Sequence, residues 1–254
     1  MRSALSLLGL LALTTTAATA QDFNWKRAMA AGTTLELRGI NGDIRVTRGT
    51  GQAEVTAIKR ARRGDPGAVK IEVFEEGNTV AICAVYPWER RDAGQGGCNY
   101  SGSNRRHQQN DTRVDFTVQL PDGVHLTART VNGSVAATGL SGDVDARTVN
   151  GSVEVATTGR ANVNTVNGGI TAVVGKGDGD MSFETVNGDV TVTLPSGIGA
   201  KVHAGTVNGS ITSDFPITVQ GKLKPRSLRG AINGGGRELR LGTVNGNIAM
   251  RRGS

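Results

Sequence analysis

The sequence predicts an all-β protein, a β-solenoid of short rungs turned at Thr-Val-Asn-Gly corners, and three observations carry that prediction. Thr-Val-Asn-Gly occurs six times, starting at Thr130, Thr148, Thr165, Thr185, Thr206 and Thr243. Apolar and polar residues alternate with period two on both sides of each copy, as they do on strands with one buried face. The composition agrees: 37 of the 254 residues are Gly and only 4% are aromatic, which suits strands and tight turns. The glycines follow no three-residue period, so a collagen helix is excluded.

The elements follow in chain order. Met1-Arg2-Ser3, an apolar run over residues 4–13 and small residues ending Ala18-Thr19-Ala20 read as a secretory signal peptide spanning residues 1–20. The run is shorter than the roughly 18 apolar residues a membrane-crossing helix needs. An exported product, periplasmic or extracellular at the cell surface, is expected, with no membrane span after signal cleavage.

Residues 21–120 are expected to form an N-terminal β section and cap. Strands fall at 34–38, 43–47, 53–61, 69–74, 79–85 and 113–120. The stretch 86–112 is rich in Gly, Asn, Arg and Gln, too polar for a core, and reads as an excursion. Cys83 and Cys98, in an exported chain without metal-type spacing or His partners, are expected to form a disulfide pinning it, worth about 3 kcal/mol by loop entropy. Tyr86, Trp88 and Tyr100 lie there beside Arg90, Arg91, Arg105 and Arg106, so this is the expected ligand loop if the protein binds carbohydrate.

Residues 121–254 hold the repeats. The asparagines Asn132, Asn150, Asn167, Asn187 and Asn208 are spaced by 18, 17, 20 and 21 residues, one rung or one hairpin each. Inward candidates precede the corner at Leu126, Ala128 and Thr130 and resume with opposite parity at Val135 and Ala137. The chain therefore turns at Asn-Gly, where Gly is expected to supply a positive φ. Two architectures satisfy this switch: stacked solenoid corners, or an antiparallel meander with type I′ hairpins at each Asn-Gly. A hairpin makes no demand on the flanking Thr and Val. Their identity favours stacking, with Asn132, Asn150, Asn167, Asn187, Asn208 and Asn245 in an amide ladder and the Thr hydroxyls doing likewise. Related Ile-Asn-Gly sequences occur at Ile40 and Ile232.

The Asn-Gly-Asp-Ile-Arg-Val stretch from Asn41, the Thr-Val-Asn-Gly series, and the ending from Leu228-Arg229-Gly230 through Gly234-Gly235-Gly236 to Thr243-Val244-Asn245-Gly246 resemble the bacterial putative-adhesin domain family. The resemblance covers roughly residues 33–250. It implies a β-solenoid on exported or envelope proteins and an adhesive role, and it carries over no catalytic or binding residues.

The net charge of +7 comes from scattered groups, Lys59 with Arg60, Arg62 and Arg63, Arg90 and Arg91 with Arg105 and Arg106, and Lys222, Lys224, Arg226 and Arg229. Such groups solvate a surface, and they also attract anionic partners such as envelope polysaccharide. A partner protein is the other expected partner; specific nucleic-acid binding is not expected. His107, His125 and His203 are dispersed and match no metal-ligand pattern, and no nucleophile elbow or phosphate loop occurs. Gly-Lys-Gly-Asp-Gly-Asp from Gly175 resembles a calcium repeat but occurs once, and reads as a turn. No catalytic residue, cofactor or metal is therefore expected. The alternative to a binding or scaffold protein is a β-helical polysaccharide lyase or hydrolase, which would need outward acids such as Asp143, Glu154 and Asp189 to converge.

Overall fold

The structure, a computed structural model, describes residues 23–91, 98, 100–101, 110–175, 179–219 and 226–253. Each repeat places the strand before its corner in one sheet and the strand after it in the other. His125–Arg129 leads through the corner at 130–133 into Val135–Leu140, and the chain then returns as Val144–Arg147. Return strand and first strand pair in parallel, Leu126 opposite Val144 and Ala128 opposite Ala146. In the facing sheet Val135 and Ala137 lie opposite Val153 and Val155. Like residues thus stack on like positions, and the alternating apolar residues of both sheets meet between them as the core. Leu126, Ala128, Val135, Val144, Val153, Ile170, Phe183 and Val190 are all buried.

Among the described residues one sheet has ten strands, in the order Phe23–Arg27, Ala53–Arg60, Arg113–Leu120, Ile44–Arg48, Val135–Leu140, Val153–Thr157, Ile170–Val174, Val190–Pro195, Ile248–Gly253 and Ile211–Ser213. The other has eleven: Thr218–Val219, Ser227–Ile232, Ala200–Asn208, Arg237–Asn245, Met181–Glu184, Ala161–Asn164, Val144–Arg147, His125–Arg129, Thr34–Arg38, Thr79–Val85 and Lys70–Glu76. The stacked strands are parallel, and antiparallel pairing is confined to the ends of the two sheets and to a separate two-stranded sheet of Arg90–Arg91 with Tyr100–Ser101. The fold is therefore a two-sheet β-solenoid. The meander alternative is overturned, because the two strands flanking a corner belong to different sheets and do not pair with each other.

Two departures from a simple sequential stack follow from the topology. Thr34–Arg38, the Ile40-Asn41-Gly42 corner and Ile44–Arg48 form a complete rung directly below His125–Arg129 and Val135–Leu140. At the far end the final repeat is inserted out of order, with Arg237–Asn245 lying between Met181–Glu184 and Ala200–Asn208. The reversal that permits this follows Ser227–Ile232, which runs antiparallel along Ala200–Asn208. Asn233 at φ 47°, Gly234 at 81°, Gly235 at 91° and Gly236 at 138° then turn the chain back into the open slot. Four consecutive positive φ values are accessible at low cost only to Gly and, singly, Asn.

Of the corner glycines, Gly42, Gly188 and Gly246 have the expected positive φ, at 131°, 155° and 158°, but the requirement that all of them share is a different one. Gly133, Gly151, Gly168 and Gly209 carry no positive φ. A Cβ on Gly151 would instead lie 2.0 Å from the Gly133 carbonyl oxygen, and one on Gly168 would lie 2.1 Å from that of Gly151. The rungs approach so closely that no side chain fits. Gly151→Ala is accordingly expected to lower the unfolding free energy by about 2–4 kcal/mol, whereas Val149→Ala at the half-exposed neighbour should cost under about 1 kcal/mol. Urea unfolding followed by circular dichroism checks both.

Candidate functional site

The corner is the most regular feature of the surface. Asn132 Nδ2 donates to Asn41 Oδ1, Asn150 Nδ2 to Asn132 Oδ1, Asn167 Nδ2 to Asn150 Oδ1 and Asn187 Nδ2 to Asn167 Oδ1, each at 2.8 Å. The chain of amides then passes through Asn245 to end at Asn208, again at 2.8 Å per step. Asn41, from the imperfect Ile-Asn-Gly copy, begins this series although it lacks the preceding Thr-Val of the perfect motif. Asn233, from the other such copy, does not join it; its amide donates to the Ser196 and Ile198 carbonyls.

Beneath the amides the corner threonines are buried, but their hydroxyls do not bond one another as the sequence suggests. Each donates to a glycine carbonyl of the adjacent rung: Thr148 to Gly133 at 2.8 Å, and Thr165 to Gly151, Thr185 to Gly168, Thr243 to Gly188 and Thr206 to Gly246 at 2.9 Å. The hydroxyl therefore satisfies the same carbonyl that excludes a Cβ. Beside the asparagines Val131, Val149, Val166, Val186 and Val244 form a half-exposed apolar row, ending at the more exposed Val207.

At the other end of the stack lie the described residues of the segment expected to carry a ligand. Tyr86 is not a surface residue: it is 1% exposed, and its hydroxyl donates to the Thr112 carbonyl at 2.9 Å and accepts from the Asn41 N–H at 3.3 Å. Its ring packs on Trp88 with centroids 4.9 Å apart. Burial pushes the Tyr86 phenol up to about 12, against a lowering by its bond to the Asn41 backbone and a further raising by the Glu89 carboxylate. Glu89, itself nearly buried, accepts from the Tyr86 N–H at 2.9 Å and from Arg38 at 2.5 Å. Cys83 and Cys98 are disulfide-bonded, with Cα atoms 5.6 Å apart. The side chains of Arg90, Arg91 and Tyr100, together with Arg105, Arg106 and His107, lie outside the described residues, as do Lys222, Lys224 and part of the Gly175–Asp180 stretch.

A cleft of about 380 Å³ opens at this same end, lined by Phe23, Lys59, Val69, Lys70, Ile71 and Glu72. Lys59 does not belong with the surface group of Arg60, Arg62 and Arg63. It continues the inward parity of Ala53, Val55 and Ala57 on its strand and is 7% exposed. That parity was the available signal. Its Nζ donates to the Val69 carbonyl at 3.0 Å and makes no ion pair among the described residues. An ammonium has three donors, so two have no protein partner among the described residues, in a side chain that lines the cleft.

The roof over Lys59 is held rigidly. Asp65 caps the short 3₁₀ turn Pro66–Ala68 by accepting from the Gly67 N–H at 2.8 Å, and Asn110 Nδ2 donates to the Asp65 carbonyl at 2.9 Å. One oxygen of Asp111 accepts from the N–H groups of Gly64, Arg63 and Arg62 at 2.9, 3.1 and 3.2 Å. These bonds, led by those of Gly64 and Arg63, hold its carboxyl below the ordinary 3.8.

The remaining candidates serve the stacking. Asp189 Oδ1 accepts from the Asn247 N–H at 2.6 Å, and Asp143 accepts from the Arg160 backbone and guanidinium at 3.1 and 2.6 Å. Neither converges with Glu154: Asp143 precedes a strand of the opposite sheet, and Asp189 precedes Val190–Pro195, which is separated from Val153–Thr157 by the intervening strand Ile170–Val174. His125 Nδ1 accepts from the Asp143 N–H at 2.9 Å, and His203 lies 3.5 Å from Glu238. Among the described residues no three His, Cys, Asp or Glu side chains group as metal ligands, and no helix is long and apolar enough to cross a membrane.

Two parallel sheets joined by amide-bonded corners, capped at one end and holding an inserted rung beneath the outermost one at the other, define an all-β solenoid domain. Residues 17–251 match the Toastrack DUF4097 family, and the chain belongs to that family. Among solved structures it is similar to a putative cell adhesion protein from Clostridium sporogenes, at 14% identity and a TM-score of 0.54, covering 92% of this chain and 100% of that one. It is also similar, at 8% identity and a TM-score of 0.32, to a putative adhesin from Bacteroides fragilis, covering 91% of this chain and 97% of that one. The first likeness supports the fold. No curated protein matches the chain.

Two measurements test the site's construction. Asn167→Ala removes one amide bond to each neighbouring rung and should cost about 1–2 kcal/mol in urea unfolding. The Tyr86 phenol is raised when folded, so its stabilisation is complete below its ordinary value of 10.0 and is lost as pH rises toward 12. Thermal unfolding between those pH values should therefore show the advantage of the native chain over Tyr86→Phe shrinking, by on the order of 2–3 kcal/mol.

Proposed function

We propose that this protein is a non-catalytic, adhesin-like binding module of the bacterial envelope, and that its partner is an acidic polysaccharide. The observation that carries the reading is the Lys59 cleft. A hydrophobic residue would complete the core at that position; a lysine with one backbone acceptor among the described residues leaves a mostly buried cation whose remaining donors call for an anion. A uronate carboxylate supplies both charge and acceptor oxygens, while Phe23, Val69 and Ile71 offer an apolar wall to a sugar ring. The volume lies in the range of about 300–1,000 Å³ usual for small-ligand sites. The name of the Clostridium sporogenes neighbour, a putative cell adhesion protein, is in keeping with such a role, and we infer an exported location from the signal-like residues 1–20. We extend the proposed surface to Trp88, which packs on Tyr86 at the same end of the molecule, and with it to Arg90, Arg91 and Tyr100 as candidates.

Titration calorimetry with polygalacturonate, and with neutral dextran as control, tests the proposal. Binding to the acidic polymer alone is expected, weakened roughly tenfold or more by Lys59→Met, which keeps the side chain's length and should not lower the melting temperature. Trp88→Ala reads the contribution of the pinned segment separately. Equal affinity for dextran, or an unaltered isotherm with Lys59→Met, would remove the acidic-ligand reading.

A further inference from the structure

The sequence contains eight Asn-Gly pairs, at Asn41, Asn132, Asn150, Asn167, Asn187, Asn208, Asn233 and Asn245. Asn-Gly is the dipeptide in which the amide side chain is most readily attacked by the following backbone nitrogen, because glycine presents no side chain to hinder approach. The fold treats these pairs unequally. In six of them the glycine N–H is occupied by the asparagine carbonyl of the neighbouring rung: Gly42 with Asn132 at 2.9 Å, Gly133 with Asn150, Gly151 with Asn167, Gly188 with Asn245 and Gly246 with Asn208 at 3.0 Å, and Gly168 with Asn187 at 2.9 Å. The side chains of Asn132, Asn150, Asn167, Asn187 and Asn245 each make two amide bonds, one up and one down the stack. The Asn41 amide accepts from Asn132. Asn233 is held by two backbone carbonyls.

Among the described residues Asn208 occupies the last corner of the stack, with no further corner to bond. Its Nδ2 donates to Asn245 Oδ1, but its own Oδ1 has no ladder partner, and the Gly209 N–H donates to nothing among the described residues. Gly209 is exposed where Gly133, Gly151, Gly168, Gly188 and Gly246 are partly covered. Val207 reaches 54% exposure, against 37–38% for the other corner valines.

We propose that Asn208 is a site of spontaneous deamidation, set apart from the other Asn-Gly pairs by its place at the open end. The Gly209 nitrogen, losing its proton to solvent, bonds to Asn208 Cγ; the Cγ–Nδ2 bond breaks and ammonia leaves. Water then opens the resulting succinimide ring at either carbonyl, giving aspartate or isoaspartate. In the interior pairs this attack requires breaking the glycine N–H bond and both side-chain bonds first, so it waits on opening of the stack. Conversion at Asn208 has a structural consequence. A carboxylate cannot donate to Asn245 Oδ1, and two acceptors then face each other across the last step of the ladder. The terminal rung is expected to loosen while the interior stays paired.

Peptide mapping by mass spectrometry on the folded protein, incubated in mildly alkaline buffer, tests this with internal controls. The Asn208 peptide should convert roughly tenfold or more faster than those of Asn150, Asn167 and Asn187, a ratio that corresponds to about 1.4 kcal/mol or more of protection. In urea-unfolded chain the same four peptides should convert at similar rates, and enzymatic methylation of isoaspartate should label the folded protein at residue 208 and be lost in Asn208→Gln. Folded-state conversion of Asn208 no faster than that of Asn150 and Asn167 would overturn the assignment. So would an Asn208 excess that persists unchanged in urea, since that would assign the rate to local sequence rather than to the fold.

Discussion

The close approach of one corner to the next is the constraint on which the molecule depends. Parallel stacking of two sheets brings successive chains to strand spacing at every position, and at the corner this leaves a carbonyl where a Cβ would otherwise stand. Glycine is therefore required, the carbonyl it faces then needs a donor, and the threonine three residues earlier in the adjacent corner supplies one from inside the core. The asparagine between them bonds both its backbone and its side chain across the rungs, with Asn150 N–H meeting the Val131 carbonyl at 2.7 Å while its amide meets Asn132. Three of the four motif residues are thus fixed by one geometric fact, and a loop that needed only to turn would have fixed none of them so tightly.

A stack of this kind has two ends, and the chain treats them differently. The N-terminal end is closed by antiparallel strands, a buried tyrosine and a carboxylate that bonds it. Such closure satisfies the backbone groups that a bare strand edge leaves open. The opposite end is assembled by first laying down the outermost rung and then returning to fill the position beneath it. The fill uses Leu239 and Leu241 on one sheet and Ile248 and Met250 on the other, all buried, so the inserted rung carries as much of the core as any other.

Much of this architecture is visible in the residues themselves. Period-two alternation locates the strands to within a residue or two, since a strand with one buried face leaves no freedom in parity, and the unvarying threonine discriminates stacking from hairpins. What escapes is order and depth. Sequence spacing orders Asn208 before Asn245, whereas the stack reverses them, because the reversal at 233–236 depends on tertiary pairing with Ala200–Asn208. Tyr86 lies in a polar stretch and reads as surface, yet its ring completes the end of the core. Lys59 reads as one of a basic group because charge is a local count; its inward direction is present only in the parity of Ala53, Val55 and Ala57. Both misplacements fall at the capped end, where the repeat stops and the pattern it imposes no longer constrains each residue.

The amide series along the corner also has a direction. Every donor points toward Asn41 and every acceptor toward Asn208, so the side-chain dipoles add head to tail instead of cancelling, much as peptide dipoles do in a helix. The edge of the molecule therefore carries a weak axial macrodipole, electropositive at the capped end and electronegative at the open one. That polarity has the sign that draws anions toward the end where the Lys59 cleft opens.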